Sequence, residues 1–310
     1  MLGIPSTRRI EPAPVASRRD TKMSWRGADS RDYIIPFSIF READFPSDFT
    51  LPPGIPREFA GIFLPQDRAA FSLRSFPPCV ILLADATIWI VTRRSVEHTA
   101  IPLARLEVLE CGRILLLGWI GLLWDRGSQT VRYNRRSAPI VEKFLCTLKM
   151  SWLRSAFTSP NQSSQLFGPE PNLKFHNAAS TELLADEARL LQFFQPPICS
   201  TRRRFGLRRE TRKAADLLVL SDRRLLWMTD RRQSAQEQYG TVGKSAALRA
   251  LKEVRANRSA GGVTIDIGLR SGTLWSVPVS EAWEDEAKAF AEMVGHAAHA
   301  VSYSVGAGRI

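Results

Sequence analysis

The sequence predicts an α+β fold that is mainly β, built from two copies of one small domain, each closed by a helix. The first observation is a repeat. Residues 66–149 carry QDRAAFSLRSFPP, VILLADATIWIVTRR, IPLARLEV and TVRYNRRSAPIVEKFLCTLK. Residues 186–299 carry DEARLLQFFQPP, LLVLSDRRLLWMTDRR, AALRALKEV and LWSVPVSEAWEDEAKAFAEMV in the same order. Similarity over such a length implies that one unit was written out twice. The second observation is a β-rich apolar run broken by a turn in each copy, and the third is an amphipathic helix at the end of each.

At 310 residues, with 44% hydrophobic and 24% charged residues, the chain has ordinary globular composition and room for two cores. Residues 1–30 are rich in Pro, Arg and Ser and predict a mobile basic arm, within which Met23 stands as an alternative start. Residues 31–65 interleave Tyr33, Phe37, Phe40, Phe45, Phe49, Phe59 and Phe63 with prolines; this pattern predicts an extended strap laid on a domain.

The first domain is expected over 66–149. Its run Cys79 to Val91 breaks at Ala84, Asp85 and Ala86, as Leu217 to Thr229 of the second copy breaks at Ser221, Asp222 and Arg223. Asp at such a break predicts a tight turn and hence a hairpin. The apolar stretch Ile114 to Trp124 contains Gly118, Gly121, Trp119 and Trp124. It is shorter than the roughly 18 residues that a spanning helix needs, so two adjacent core strands are expected, with a membrane-dipping loop as the alternative. Ile140, Phe144 and Leu148 then recur at helical spacing, Val141 and Leu145 widen the stripe, and Pro139 suits a first turn.

Residues 150–180 include SPNQSSQLFGPEPN, a mixture that predicts a linker without regular structure. The second domain is expected over 181–299 and closes with a helix that buries Trp283, Ala287, Phe290, Ala291 and Val294 and exposes Glu284, Glu286, Lys288 and Glu292. A flexible tail, 300–310, follows.

The strand pair in LLVLSDRRLLWMTD, Leu217 to Asp230, together with the single closing helix, resembles the bacterial pleckstrin-homology-like domains and the related GRAM domains. The first copy departs from that pattern, with Ala86 and Thr87 standing where the second has Arg223 and Arg224. The resemblance implies two tandem partly open β-barrels, each plugged by its C-terminal helix, and a non-catalytic adaptor role. It also implies that anions are held near the loop joining the first two strands.

That is where the charge collects. The net charge is +12, and between Cys199 and Arg232 eleven Arg or Lys face four acids, which places +7 of it there. The core of this stretch, Arg202, Arg203, Arg204, Arg208, Arg209, Arg212 and Lys213, reads as an insertion of nineteen residues between Pro197 and Leu217 that the first copy lacks, since Pro78 runs straight into Val80. It is the candidate site for an acidic protein surface or an anionic membrane surface; a solvated loop is the plain alternative. Nucleic acid is the other polyanion, disfavoured because only Phe205 offers a stacking ring there.

Other chemistry falls away on inspection. Gly240-Thr241-Val242-Gly243-Lys244-Ser245 mimics a phosphate loop, but Gln238 holds the place of the first glycine and the preceding RRQSAQEQY is polar. His296 and His299 with Glu292 share a helix face, but Gly295 predicts a frayed end rather than a metal site. No G-x-S-x-G, H-E-x-x-H or G-x-G-x-x-G occurs, so no enzyme, metal or cofactor is expected. Four isolated cysteines and an N-terminus without an apolar core predict a cytoplasmic protein, peripheral at the inner face of the membrane in the lipid-binding version.

Overall fold

The structure is a computed structural model that describes residues 35–68, 75–93, 98–114, 117–154, 164–204, 207–230, 240–259 and 262–307; the predicted arm of residues 1–30 lies outside them. It is mainly β, with strands far outnumbering the three α-helices among these residues.

The first half opens with β1 (Phe37–Arg41), β2 (Glu58–Leu64) and the short strands β3 (Asp67–Arg68) and β4 (Ser75–Phe76). It continues through β5 (Cys79–Ala84), β6 (Thr87–Thr92) and β7 (His98–Pro102), then β8 (Leu106–Ile114), β9 (Leu117–Trp124), β10 (Gly127–Asn134) and helix α1 (Ala138–Trp152). The second half opens with β11 (Gln165–Phe167), helix α2 (Leu173–Glu182) and β12 (Arg189–Gln195). The strands β13 (Cys199–Arg204), β14 (Leu207–Arg212), β15 (Asp216–Ser221), β16 (Arg224–Thr229) and β17 (Gly240–Ala247) follow. β18 (Leu251–Ser259), β19 (Gly262–Leu269), β20 (Leu274–Val279) and helix α3 (Glu284–Ala307) complete it. The order of elements therefore runs twice: a leading edge strand, a covering segment, a first strand, a small hairpin, three more strands, a three-stranded meander and a helix.

The sheets stay open. One has the order β1-β2-β5-β6-β7, another β18-β19-β20, and the largest is β10-β9-β8-β17-β16-β15-β12-β11. The eight-stranded sheet crosses the halves, because β8 of the first pairs antiparallel with β17 of the second, from Val108 opposite Ala246 to Ile114 opposite Gly240. Each strand thus covers an edge that would otherwise stand unpaired.

The apolar runs are continuous because their strands are covered on both faces. In β5, Ile81 and Leu83 join the core that α1 closes with Val141, Phe144, Leu145 and Leu148, while Val80, Leu82 and Ala84 face a second cluster with Phe45, Phe49, Leu51 and Ile55. In β15, Leu218 and Leu220 join the core that α3 closes with Ala287, Phe290, Ala291 and Val294. On the other face, Leu217 and Val219 meet Phe175 and Ala179 of α2.

Three expectations change. Glu58–Leu64, assigned to the strap by its prolines and aromatics, is an internal strand of the five-stranded sheet, flanked by β1 and β5. The linker is not irregular: Asn172 Oδ1 accepts from the Phe175 N–H at 3.1 Å and starts α2, which buries Phe175 and Ala179. Gly168 makes that segment possible, since its φ is +73° and a Cβ there would lie 2.8 Å from the Phe194 carbonyl oxygen. Gly295 does not end α3, which runs to Ala307 and buries Ala297, Ala298 and Val301 beyond it; so the tail drawn at 300–310 begins as helix. One expectation holds: the stretch Ile114 to Trp124 supplies two adjacent strands, Ile114 ending β8 and Leu117–Trp124 forming its antiparallel neighbour β9, with Trp119, Ile120 and Leu122 buried.

Candidate functional site

The arginine-rich segment is a two-stranded ribbon rather than a loop. β13 and β14 pair antiparallel, with Cys199 opposite Arg212, Arg202 opposite Arg209, Arg203 opposite Arg208 and Arg204 opposite Leu207. The Lys213 N–H donates to the Ile198 carbonyl at 2.8 Å and closes its base, and Lys213 itself is exposed. Neither is the segment peculiar to the second half: β3 and β4 pair at the equivalent place, with Asp67 opposite Phe76 and Arg68 opposite Ser75. What distinguishes the second hairpin is its charge. The register sets Arg202 directly opposite Arg209 and Arg203 directly opposite Arg208. Like charges directly opposite one another destabilise a strand pair, so the register concentrates positive potential at a cost to the ribbon.

Beneath the next turn lies a polar cluster that appears in the sequence only as an Asp-Arg-Arg turn within the basic stretch. Arg224 is fully buried and lies against the equally buried Glu187. Its Nε donates to Glu187 Oε1 and its Nη2 to Glu187 Oε2, each at 2.8 Å. Nη2 also reaches the Glu182 carbonyl at 2.6 Å, and Nη1 donates to Ser245 Oγ at 2.9 Å. Glu187 further accepts from Ser221 Oγ at 2.6 Å and from the Leu184 N–H at 2.9 Å. Burial alone would raise the Glu187 pKa, but the hydrogen bonds and charge of Arg224 outweigh it and hold this carboxyl below its ordinary value. The guanidinium thereby ties the end of α2, the approach to β12, β16 and β17 into one unit. The signal for it was present in the Asp-Arg-Arg turn, but its partner lies 37 residues away in sequence.

Asp222 does more than shape its turn. Its Oδ1 accepts from the Ala188 N–H at 3.1 Å, and burial raises its pKa against the opposing pull of Arg223. Arg223 lies between two acids, its Nη2 2.7 Å from Asp186 and its Nε 3.6 Å from Asp222.

The phosphate-loop mimic lies in β17, between β16 and β8. The Lys244 amine sits 5.2 Å from the centre of the Trp227 ring and 3.5 Å from Glu110. His296 and His299 are exposed on α3, and among the described residues no group of three or more His, Cys, Asp or Glu is placed to hold a metal ion. Cys79 and Cys111 are buried, and burial pushes both thiols up to about 12, which keeps them protonated and unreactive. No described helix is long and apolar enough to cross a membrane.

Comparison with known proteins yields no matching family model and no matching curated protein.

Proposed function

We propose that the chain is a non-catalytic docking protein made of two tandem pleckstrin-homology-like units, and that the β13–β14 ribbon of the second unit holds the headgroups of an anionic membrane surface. The observation that carries this reading is the crowding of Arg202, Arg203, Arg208 and Arg209 across one short register. An anionic surface would relieve that repulsion. Each half supports the unit assignment with four strands in one sheet, β2-β5-β6-β7 or β12-β15-β16-β17, followed by a three-stranded meander and a helix. In each, the small hairpin joins the first two of those strands, where the resemblance puts anion binding.

Near an anionic leaflet each Lys or Arg contributes about 1 kcal/mol. The seven basic residues of the segment therefore support reversible docking, strongest at low salt. Replacing Arg202, Arg203, Arg204, Arg208 and Arg209 together by Ser should abolish co-sedimentation with vesicles of phosphatidylserine and phosphatidylcholine. Undiminished sedimentation would discard the proposal.

One observation favours a second reading. A two-stranded ribbon has the dimensions to enter a nucleic-acid major groove, and this one sets two arginine pairs opposite one another in consecutive register positions. Retention on duplex DNA or RNA with a steep dependence of affinity on salt, without sedimentation with vesicles, would select it.

A further inference from the structure

The junction between the halves is made once. It joins β8 to β17 within the sheet β10-β9-β8-β17-β16-β15-β12-β11. The strands equivalent to these two at the outer ends of the repeat are β18 and β7, and among the described residues neither has a strand on its outer side. If β18 of one chain met β7 of another, their sheets would add to the same eight positions, β20-β19-β18-β7-β6-β5-β2-β1. An open edge is a ready template for pairing between chains, and a head-to-tail contact that does not close into a ring continues into a filament.

The backbone is suited to such a contact. β8 and β18 carry a register shift at the same place, between Leu106 and Val108 and between Leu251 and Glu253. Ile101 and Ala246 hold the same place in β7 and β17, opposite Ile88 and Leu225. The pairing of Val108 with Ala246 therefore maps onto Glu253 with Ile101, and that of Glu110 with Lys244 onto Arg255 with Thr99. Pro102 stands where Ala247 does, one residue past the last pair of the junction, so its missing N–H removes no pairing there.

The side chains are not suited to it. Val108 and Leu123 pack into the core of the second half, and Trp119 packs on Val242. The same places in β18 and β19 hold Glu253, Gly268 and Thr264. Lys244 lies 3.5 Å from Glu110, whereas Thr99 would meet Arg255, which is exposed and paired with Glu253 at 3.1 Å. Arg249 clamps the junction by donating to the Leu103 carbonyl at 2.9 Å and the Trp152 carbonyl at 3.4 Å. Its counterpart in the first half is Ala104, since the Leu103 and Leu248 N–H groups donate to equivalent carbonyls. A repeated junction would bury the Glu253 carboxylate and recover neither the ion pair nor the clamp.

We infer that the face of β18 and β19 is a terminus: its polar side chains stop a second copy of this chain from adding to an edge whose backbone would accept one. The terminus is specific, because the positions that turn polar are those that make the internal junction.

The test gives the terminus the residues of the junction, in the full chain. Wild type should sediment with the mass of one chain at every concentration. Glu253→Val, Arg255→Glu and Ala104→Arg together, all at exposed sites, should make the mass rise with concentration. Adding Thr99→Lys, Asn257→Gly and Thr264→Trp should strengthen that rise. Ala100→Asp, at an exposed site of β7 that the new register sets opposite the buried Val254, should return either variant to one chain. The inference is overturned by wild-type association that Ala100→Asp abolishes, which would make the edge an open one. It is equally overturned if the variants stay folded by circular dichroism and single at every concentration, or if their association survives Ala100→Asp.

Discussion

The two halves solve the same turn in different ways. Between β5 and β6 the chain reverses on Asp85 and Ala86, with φ of 44° and 55°, and the following Thr87 is only half-buried. Between β15 and β16, neither residue of the equivalent turn has a positive φ, and Arg224, in the place of Thr87, is buried whole against Glu187. The backbone context is shared, since the Leu103 N–H donates to the Ala86 carbonyl at 2.7 Å and the Leu248 N–H to the Arg223 carbonyl at 3.2 Å. One hairpin holds its shape through local backbone conformation and the other through a long-range ion pair. The difference teaches that an apolar-turn-apolar pattern specifies a hairpin without saying what lies beneath it.

The largest expected effect breaks that pair. Removing one partner of a buried salt bridge costs about 3–5 kcal/mol, whereas replacing both by apolar residues of similar size is often near neutral. Glu187→Ala and Arg224→Ala should each destabilise by about that amount in urea titrations, and Glu187→Leu with Arg224→Met should recover most of it. Thr87→Ala in the first half should cost well under about 1 kcal/mol, as surface changes do. Equal losses at Thr87 and Arg224 would erase the distinction between the two turns.

Acid sharpens the comparison. A glutamate in an unfolded chain titrates near about 4.3, and the folded pKa values of Glu187 and Glu182 lie below their ordinary values. The unfolded state therefore takes up protons first as pH falls. The stabilisation from these carboxylates is full above the unfolded value and is lost as pH drops through the folded ones. Asp222 has the opposite sign, because its raised pKa makes its ionised form a small cost that fades on acidification. Melting temperature should hold from neutrality down to about pH 5 and then fall. The Glu187→Leu, Arg224→Met double variant should fall less steeply; a slope equal to wild type would mean that Glu187 carries none of the acid sensitivity.

Much of this architecture was legible in local pattern. The closing helices announced themselves because Val141, Phe144, Leu145 and Leu148, or Ala287, Phe290, Ala291 and Val294, repeat at helical spacing and bury together. The central hairpins did so because both faces of β5 and β15 are covered, which leaves an unbroken apolar run. What stayed hidden was everything that depends on distant partners. Phe59 and Phe63 looked like strap aromatics because an internal strand and an extended cover share the same composition; only pairing with β5 separates them. The segment around α2 looked irregular because Pro, Ser, Asn and Gln are mixed in SPNQSSQLFGPEPN just before it, whereas the helix buries only Phe175 and Ala179. The strap and the supposed linker play one role, each supplying an edge strand and then a cover for the outer face. The β8–β17 junction could not be read from sequence, since it needs strands more than 120 residues apart to meet.

The smallest expected effects concern the faces of β8 and β18. In β8, Gly112 lies between Trp119 of β9 and Val242 of β17. A Cβ at Gly112 would come within 1.9–2.3 Å of the Trp119 ring, which is buried and fixed by its Nε1 donating to Glu110 Oε1 at 2.8 Å. Gly112→Ala should therefore cost about 1–3 kcal/mol, the range for overpacking a filled site. The same position in β18 is Asn257, exposed and donating to Asp266 at 2.7 Å. Asn257→Ala should stay within about 0.5 kcal/mol of wild type. Paired urea titrations measure both. If the two substitutions cost the same, the Trp119 ring that β9 lays over Gly112 gives way to an added methyl, and the contrast between the crowded strand and the open one loses its energetic basis.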